Sequence, residues 1–252
     1  MEPIARIRTD LPQKFGIPRN GSLAPHLHGE IRFEPEFASA AAVAGLEEFS
    51  HLWLIWQFEN GLAGGAASDV AADSAGATAG VASRGWRPTV RPPRLGGAER
   101  VGVFATRSPF RPNPIGLTCV RLERVELRED GPVIHVLGAD LRDGTPILDI
   151  KPYIPFADCH TDATGGWIER APWHELAVDF PEALLALVPA EKADGLVEVL
   201  RQDPRRAGSK HEPERVYHLA YAGLDVSFCV DGDALRVVGV ERLSRWIRRG
   251  RA

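Results

Sequence analysis

The chain has 252 residues, 44% apolar and 25% charged, with a formal net charge of −4 at pH 7, which is enough to bury a proper core in one or two soluble, globular domains. No apolar run approaches the roughly 20 residues that span a bilayer, and the start, MEPIARIRTDLPQ, lacks the apolar centre of a signal peptide. Cys119, Cys159 and Cys229 are odd in number, far apart and without a CxxC pair, which argues for reduced thiols in a cytoplasmic protein and against a zinc site or a disulfide framework.

In chain order, the first part reads mostly as strands. Residues 4–9, 52–58, 101–105, 117–127, 133–137 and 145–150 are short, rich in Val, Ile, Leu and Phe, and separated by Gly, Pro or Asp. Residues 117–127, LTCVRLERVEL, alternate apolar and polar for much of their length, as a strand with one wet face does. Residues 38–48 read as the one helix of this part. Residues 62–83 are Ala-, Gly- and Ser-rich without amphipathic period and read as a flexible loop. Gly61, Gly64 and Gly65, which follow the apolar run 52–58, are the nearest approach to a dinucleotide fingerprint. No helical pattern follows them, so a Rossmann reading is weak.

Residues 161–166 form a turn-rich linker. Helical patterns follow at 182–188 and 190–201, separated by Pro189, and then a meander of strands at 215–221, 224–230 and 235–241 with turns at 222–223 and 231–233. The expected architecture is mainly β, with a barrel or sandwich over residues 1–158 and a small α+β domain over 165–252.

Residues 85–117 are the most informative stretch. Arg84, Arg87, Arg91, Arg94, Arg100, Arg107 and Arg111 face a single acid, Glu99, so a local excess of six positive charges sits inside an acidic chain. Pro88, Pro92 and Pro93 prevent a helix from displaying the arginines, and the segment reads as an extended, stiffened loop. Guanidinium forks held this way suit phosphates or carboxylates, with RNA or a nucleotide-like ligand the leading inference. A Pro-rich surface turn with arginines in water is the competing structural reading.

The segment RSPFRPNPIGL, residues 107–117, resembles the signature of the TrmO family of S-adenosylmethionine-dependent tRNA methyltransferases, also called TsaA-like or YaeB-like. Residues 14–19, 46–53, 85–107, 143–153 and 202–205 resemble further blocks of that family in its order. Two departures are the insertion-like segment 62–83 and a basic tail after 243, which includes Arg245, Arg248, Arg249 and Arg251.

The resemblance implies N6-methylation of threonylcarbamoyladenosine at position 37 in the anticodon loop of threonine tRNA. It also implies S-adenosylmethionine as cofactor, a β-barrel rather than a Rossmann sheet as its platform, and a homodimer. Carried over by position, it implies that Arg19, Asn20, Gly21, Glu59, Asn60, Arg107, Leu117, Leu141, Arg142, Asp143 and Gly144 bind the cofactor, Arg107 through the methionine carboxylate. It implies Arg87, Arg91, Arg94, Arg111 and Asn113 for the tRNA, and Lys151 with Tyr153 for the target nucleotide. Trp86 is a candidate for stacking or for ordinary packing.

Methyl transfer from a sulfonium needs in-line placement of the acceptor and no metal. The acceptor nitrogen is a poor nucleophile while protonated, so Asp143 is a candidate base, although Arg142-Asp143-Gly144 is also a good turn sequence. His26 and His28 have no further ligands nearby and read as loop histidines rather than a metal pair. Two other readings stay open: an RNA-binding regulator that no longer methylates, and a methyltransferase acting on a small metabolite.

Overall fold

A computed structural model describes residues 1–58, 86–92, 95, 99–170, 174–205 and 211–243. The insertion 62–83, Arg84, Glu59, Asn60, Arg94 and the tail beyond 243 lie outside the described residues.

In chain order the first eight strands are β1 (Ala5–Thr9), β2 (His28–Phe33), β3 (His51–Gln57), β4 (Thr89–Val90), β5 (Val101–Gly102), β6 (Ile115–Arg128), β7 (Gly131–Leu137) and β8 (Pro146–Pro152). Alternation along β6 shows how the sheet closes. Gly116, Thr118, Val120 and Leu122 are buried while Leu117, Arg121 and Glu123 are exposed, until a bulge between Leu122 and Arg124 breaks the period. Six strands pair antiparallel in the order β1-β2-β7-β6-β3-β8, and β8 returns to β1, so no edge is left unpaired. Ile7, Ile31, Leu52, Leu54, Val120, Ile134, Val136 and Ile147 fill the interior. The barrel expected from the strand pattern and the resemblance is therefore present.

After the short helix α1 (Pro155–Asp158) come β9 (Ala177–Asp179), α2 (Glu182–Leu185), α3 (Ala190–Arg201), β10 (Tyr217–Tyr221), β11 (Leu224–Asp231) and β12 (Ala234–Arg242). The meander β10-β11-β12 forms with its expected turns, and β9 adds to β12 in parallel. Leu196, Val199 and Leu200 on one face of α3 belong to a core with Leu219, Tyr221, Val226, Phe228 and Val237 of the sheet.

That second core also takes Leu11, Ala24 and Leu27 from the connection between β1 and β2. Polar contacts pin the same connection. Lys192 Nζ donates to Asp10 Oδ2 at 2.7 Å, Ala222 N donates to Asp10 O at 2.9 Å, and His26 N donates to Glu198 Oε2 at 2.9 Å. The C-terminal unit thus holds a barrel loop in place.

Several elements differ from the sequence expectation. Residues 38–48 are two 3-10 turns, Ala40–Val43 and Leu46–Glu48, rather than one helix, because Gly45 between them sits at φ 81°, outside helical space. Residues 101–105 are a two-residue strand followed by the 3-10 turn Val103–Ala105. β2 went unread because Glu30 and Arg32 interrupt its apolar signal, and β9 because three residues carry no period.

Candidate active site

The pairings Thr9↔Gly29, His28↔Leu137, Gln57↔Ile115 and Arg6↔Pro146 put three connections on one rim of the barrel. These are β1–β2, the long excursion between β3 and β6, and β7–β8. Every cofactor residue expected from the resemblance except Leu117 falls on them in sequence.

The first and third connections touch through backbone. A β-carbon on Gly21 would stand 2.0 Å from Gly138 O, so only glycine fits there. Asn20 Oδ1 accepts from Ser22 N at 3.2 Å and caps the 3-10 turn Gly21–Leu23, while Arg19 and Asn20 remain exposed. Inside the rim, the Trp56 ring lies so close to Gly116 that a β-carbon would come within 2.2 Å of it, and Trp56 Nε1 donates to Thr118 Oγ1 at 3.1 Å. The glycine of the signature is the seat of that indole.

Asp140 was not singled out from sequence. It follows β7 by three residues, half-buried, with Oδ1 enclosed and without a hydrogen-bond partner. Burial pushes its carboxyl up to about 6, against the opposing pull of Thr118, the backbone at Gly21 and the charge of Arg107. Arg107, itself exposed, is therefore near enough to feel Asp140. The only sequence signal for it is an acid just after a strand end, and Asp143 in the adjoining motif carries the same signal.

The rest of β7–β8 is a tight turn. Asp143 Oδ1 accepts from Thr9 N at 3.2 Å and Oδ2 from Arg8 at 3.5 Å, and Asp143 N donates to Leu11 O at 2.8 Å. Leu141 is buried and its carbonyl accepts from Thr9 Oγ1. Arg142 O accepts from Thr145 Oγ1 at 2.7 Å, and Gly144 takes φ 81°. The Asp143 carboxylate is thus occupied in holding the turn. Leu117 is 47% exposed and faces the side of β6 opposite Thr118, so its side chain is not brought to Asp140.

Above the rim, β4 and β5 pair as a small ribbon that leaves Arg91 exposed beyond Val90. Arg87 N donates to Phe110 O at 3.0 Å, and its guanidinium lies 4.9 Å from the Phe110 ring centroid. Arg111 donates to Thr106 O at 2.8 Å, so it binds loop carbonyls. Asn113 is exposed and its carbonyl accepts from Ile115 N. Trp86 is half-buried.

Lys151 and Tyr153 lie elsewhere. They stand at the far end of β8, about 20 Å from the rim at ~3.3 Å per residue, where Lys151 pairs with Asp149 at 2.8 Å and the Tyr153 ring packs on Trp53 at 5.7 Å. Partial burial and the Cys159 thiol push the Tyr153 phenol above its ordinary range. Within one chain these two are not brought to the cofactor-side residues. His26 bonds to Glu198, and no group of three or more His, Cys, Asp or Glu suited to a metal is gathered among the described residues. No helix there is long and apolar enough to cross a membrane.

A closed antiparallel barrel whose one rim gathers a tight glycine–glycine contact, an enclosed carboxylate and an arginine-bearing excursion defines a class of barrel protein quite unlike a Rossmann methyltransferase. Known proteins share it. The tRNA-methyltransferase O N-terminal domain matches residues 6–159, and the TrmO C-terminal domain matches residues 174–243. The tRNA (adenine(37)-N6)-methyltransferase of Escherichia coli K12 is 42% identical over 217 residues, 84% of each chain. A putative S-adenosylmethionine-dependent methyltransferase, RcsF, of Pseudomonas aeruginosa is 38% identical over 248 residues, covering 95% of this chain and 96% of its own. The crystal structure of TrmO from P. aeruginosa superposes with a TM-score of 0.70 at 34% identity, over 96% of this chain and 95% of that one. The chain belongs to the tRNA-methyltransferase O family, and it is an enzyme of the tRNA methyltransferase class.

Proposed function

We propose that the enzyme transfers a methyl group from S-adenosylmethionine to N6 of adenine 37 in tRNA, and that its acceptor is the threonylcarbamoylated adenosine of threonine tRNA. The observation that carries the reading is the meeting of Gly21, Gly138, Asp140 and Arg107 at the rim from which the arginine-rich excursion springs.

The charged end of the cofactor fits these groups. Arg107 offers a planar fork to the methionine carboxylate, and Asp140 Oδ1 lacks a donor that a cationic group would supply. Arg19, Asn20 and Gly21 supply the β1–β2 side of the cofactor site, and Leu141, Arg142, Asp143 and Gly144 the β7–β8 side. Glu59 and Asn60 join the set by their place in the sequence, whereas the Leu117 side chain, on the outer face of β6, stays apart from it. When bound, S-adenosylmethionine supplies an electrophilic methyl carbon, so the chain's task is alignment, and no divalent metal is needed.

Asp143 serves as turn-holder rather than base. Lys151 and Tyr153 belong to the acceptor side, with the Tyr153 phenol, held protonated, as a hydrogen-bond donor. Because one chain keeps them apart from the rim, the working form is a homodimer in which a second copy brings its own far end to that rim. A cytoplasmic setting goes with a tRNA substrate.

Purified protein should methylate threonine tRNA only when it carries the threonylcarbamoyl group. Equal rates on tRNA lacking that group would overturn the acceptor, and no methylation of either would overturn the whole reading. Light scattering should give twice the chain mass, and a fully active monomer would refute the dimer.

A further inference from the structure

Two phenylalanines stand in water among the arginines of the excursion. Phe104 is 73% exposed and Phe110 is 45% exposed. Their backbone is fixed, so neither ring is a mobile group awaiting a core. Val103, buried to 1%, takes the inward position of the 3-10 turn and donates from its N to Pro88 O at 2.9 Å. Thr106 Oγ1 donates to Val103 O, Ser108 N to Thr106 Oγ1 and Phe110 N to Ser108 Oγ, which makes a self-bonded stage of residues 103–110. From outside, Trp167 Nε1 donates to Ala105 O at 2.8 Å.

Each ring is backed by one guanidinium, Arg87 at 4.9 Å from the Phe110 centroid and Arg111 at 5.9 Å from that of Phe104. Arg111 is locked there by Thr106 O and Ser108 O. Around them Arg91, Arg100 and Arg107 are exposed, and the nearby acid Glu99 pairs with Arg170 at 3.4 Å. Rigid exposed π faces inside a cationic field match a ligand that carries flat rings along an anionic backbone. Unpaired RNA bases have both properties, and aromatic platforms take them with little regard to sequence.

We infer that Phe104 and Phe110 are stacking platforms for two unpaired bases of the RNA loop, with Arg87 and Arg111 as their backing plates rather than as phosphate clamps. This rests on the tRNA reading above and divides the arginines differently from sequence: Arg91 meets phosphate, Arg107 stays with the cofactor, and Arg87 and Arg111 hold rings.

The test is fluorescence anisotropy of a labelled anticodon stem-loop, titrated at several salt concentrations against wild type, Phe104→Ala, Phe104→Leu, Phe104→Trp and the same three changes at Phe110. Loss of one ring should weaken binding roughly five- to hundredfold, the range for one base stack. The slope of log affinity against log salt should stay unchanged, because no phosphate contact is lost. Leu, which keeps apolar bulk without a π face, should fail as Ala does, and Trp should restore binding. Unchanged affinity, rescue by Leu, or a fall in oligomeric mass that shows the rings packing on a second copy would each overturn the platform. Failure of the wild-type protein to bind the stem-loop would overturn the tRNA reading and the platform with it.

Discussion

The backbone of Gly21 passes so close to Gly138 that a β-carbon on the former would meet the carbonyl oxygen of the latter at 2.0 Å. Neither partner is a flexible side-chain tip, so Gly21→Ala has to push β1–β2 away from β7–β8. The expected result is a loss of about 1–3 kcal/mol in stability, the usual range for overpacking, together with weakened S-adenosylmethionine binding. Urea unfolding and calorimetry measure the two, and a variant matching wild type in both would mean the loops do not need their contact.

Asp140 sets a pH dependence. Its folded-state carboxyl is raised to about 6 from the ordinary 3.8, so between those values the folded chain binds the proton that the unfolded chain has released. Stability therefore falls as pH rises from about 4 to about 6, by at most about 3 kcal/mol, since each tenfold difference in proton affinity between the two states is worth ~1.4 kcal/mol. Asp140→Asn should abolish that fall and be more stable than wild type at pH 7.5, with less difference at pH 4. Parallel unfolding curves for the two proteins across this range would remove Asp140 as the cause.

His26 acts in the opposite half of the scale. Its bond to Glu198 raises the imidazole above 6.5, so the stabilisation is complete below that value and is lost as pH rises through the higher folded pKa. Glu198→Gln should flatten the stability profile above pH 6.5. Because the Gln amide oxygen can still accept from His26 N, hydrogen exchange of His26 and Leu27 should stay near wild type, which separates the lost pH effect from a loosened β1–β2 connection.

Three arginines should separate by readout. Arg107→Ala should cost roughly 1.5–3 kcal/mol in S-adenosylmethionine binding, the range for a charge-assisted hydrogen bond, while sparing tRNA affinity. Arg91→Ala should spare the cofactor and reduce the tRNA salt slope by about 0.7, one single-strand phosphate contact. Arg111→Ala removes two carbonyl bonds and the support of Phe104, so it should weaken tRNA binding with little change of slope. Equal losses of both ligands in the Arg107 and Arg91 variants would make the excursion one structural unit.

Elements whose periodicity is local were legible in the sequence. β6 alternates, α3 runs from Ala190 to Arg201 between Pro189 and a loop, and the β10–β12 meander is punctuated by Gly and Asp turns, so residues a few positions apart carried the whole signal. The signature at 107–117 marked the family for the same reason, since its residues are contiguous. Tertiary structure alone decided what depends on distant partners. Gly21 meets Gly138 across more than a hundred residues, and Leu11 and Leu27 leave the barrel to join the core of α3. Burial raises Asp140, and the groups that pull against it, Thr118, Gly21 and Arg107, come from three separate segments. Closure of the barrel also sets Lys151 and Tyr153 a full strand away from Asp143, because a strand carries its two ends to opposite rims whatever their nearness in sequence.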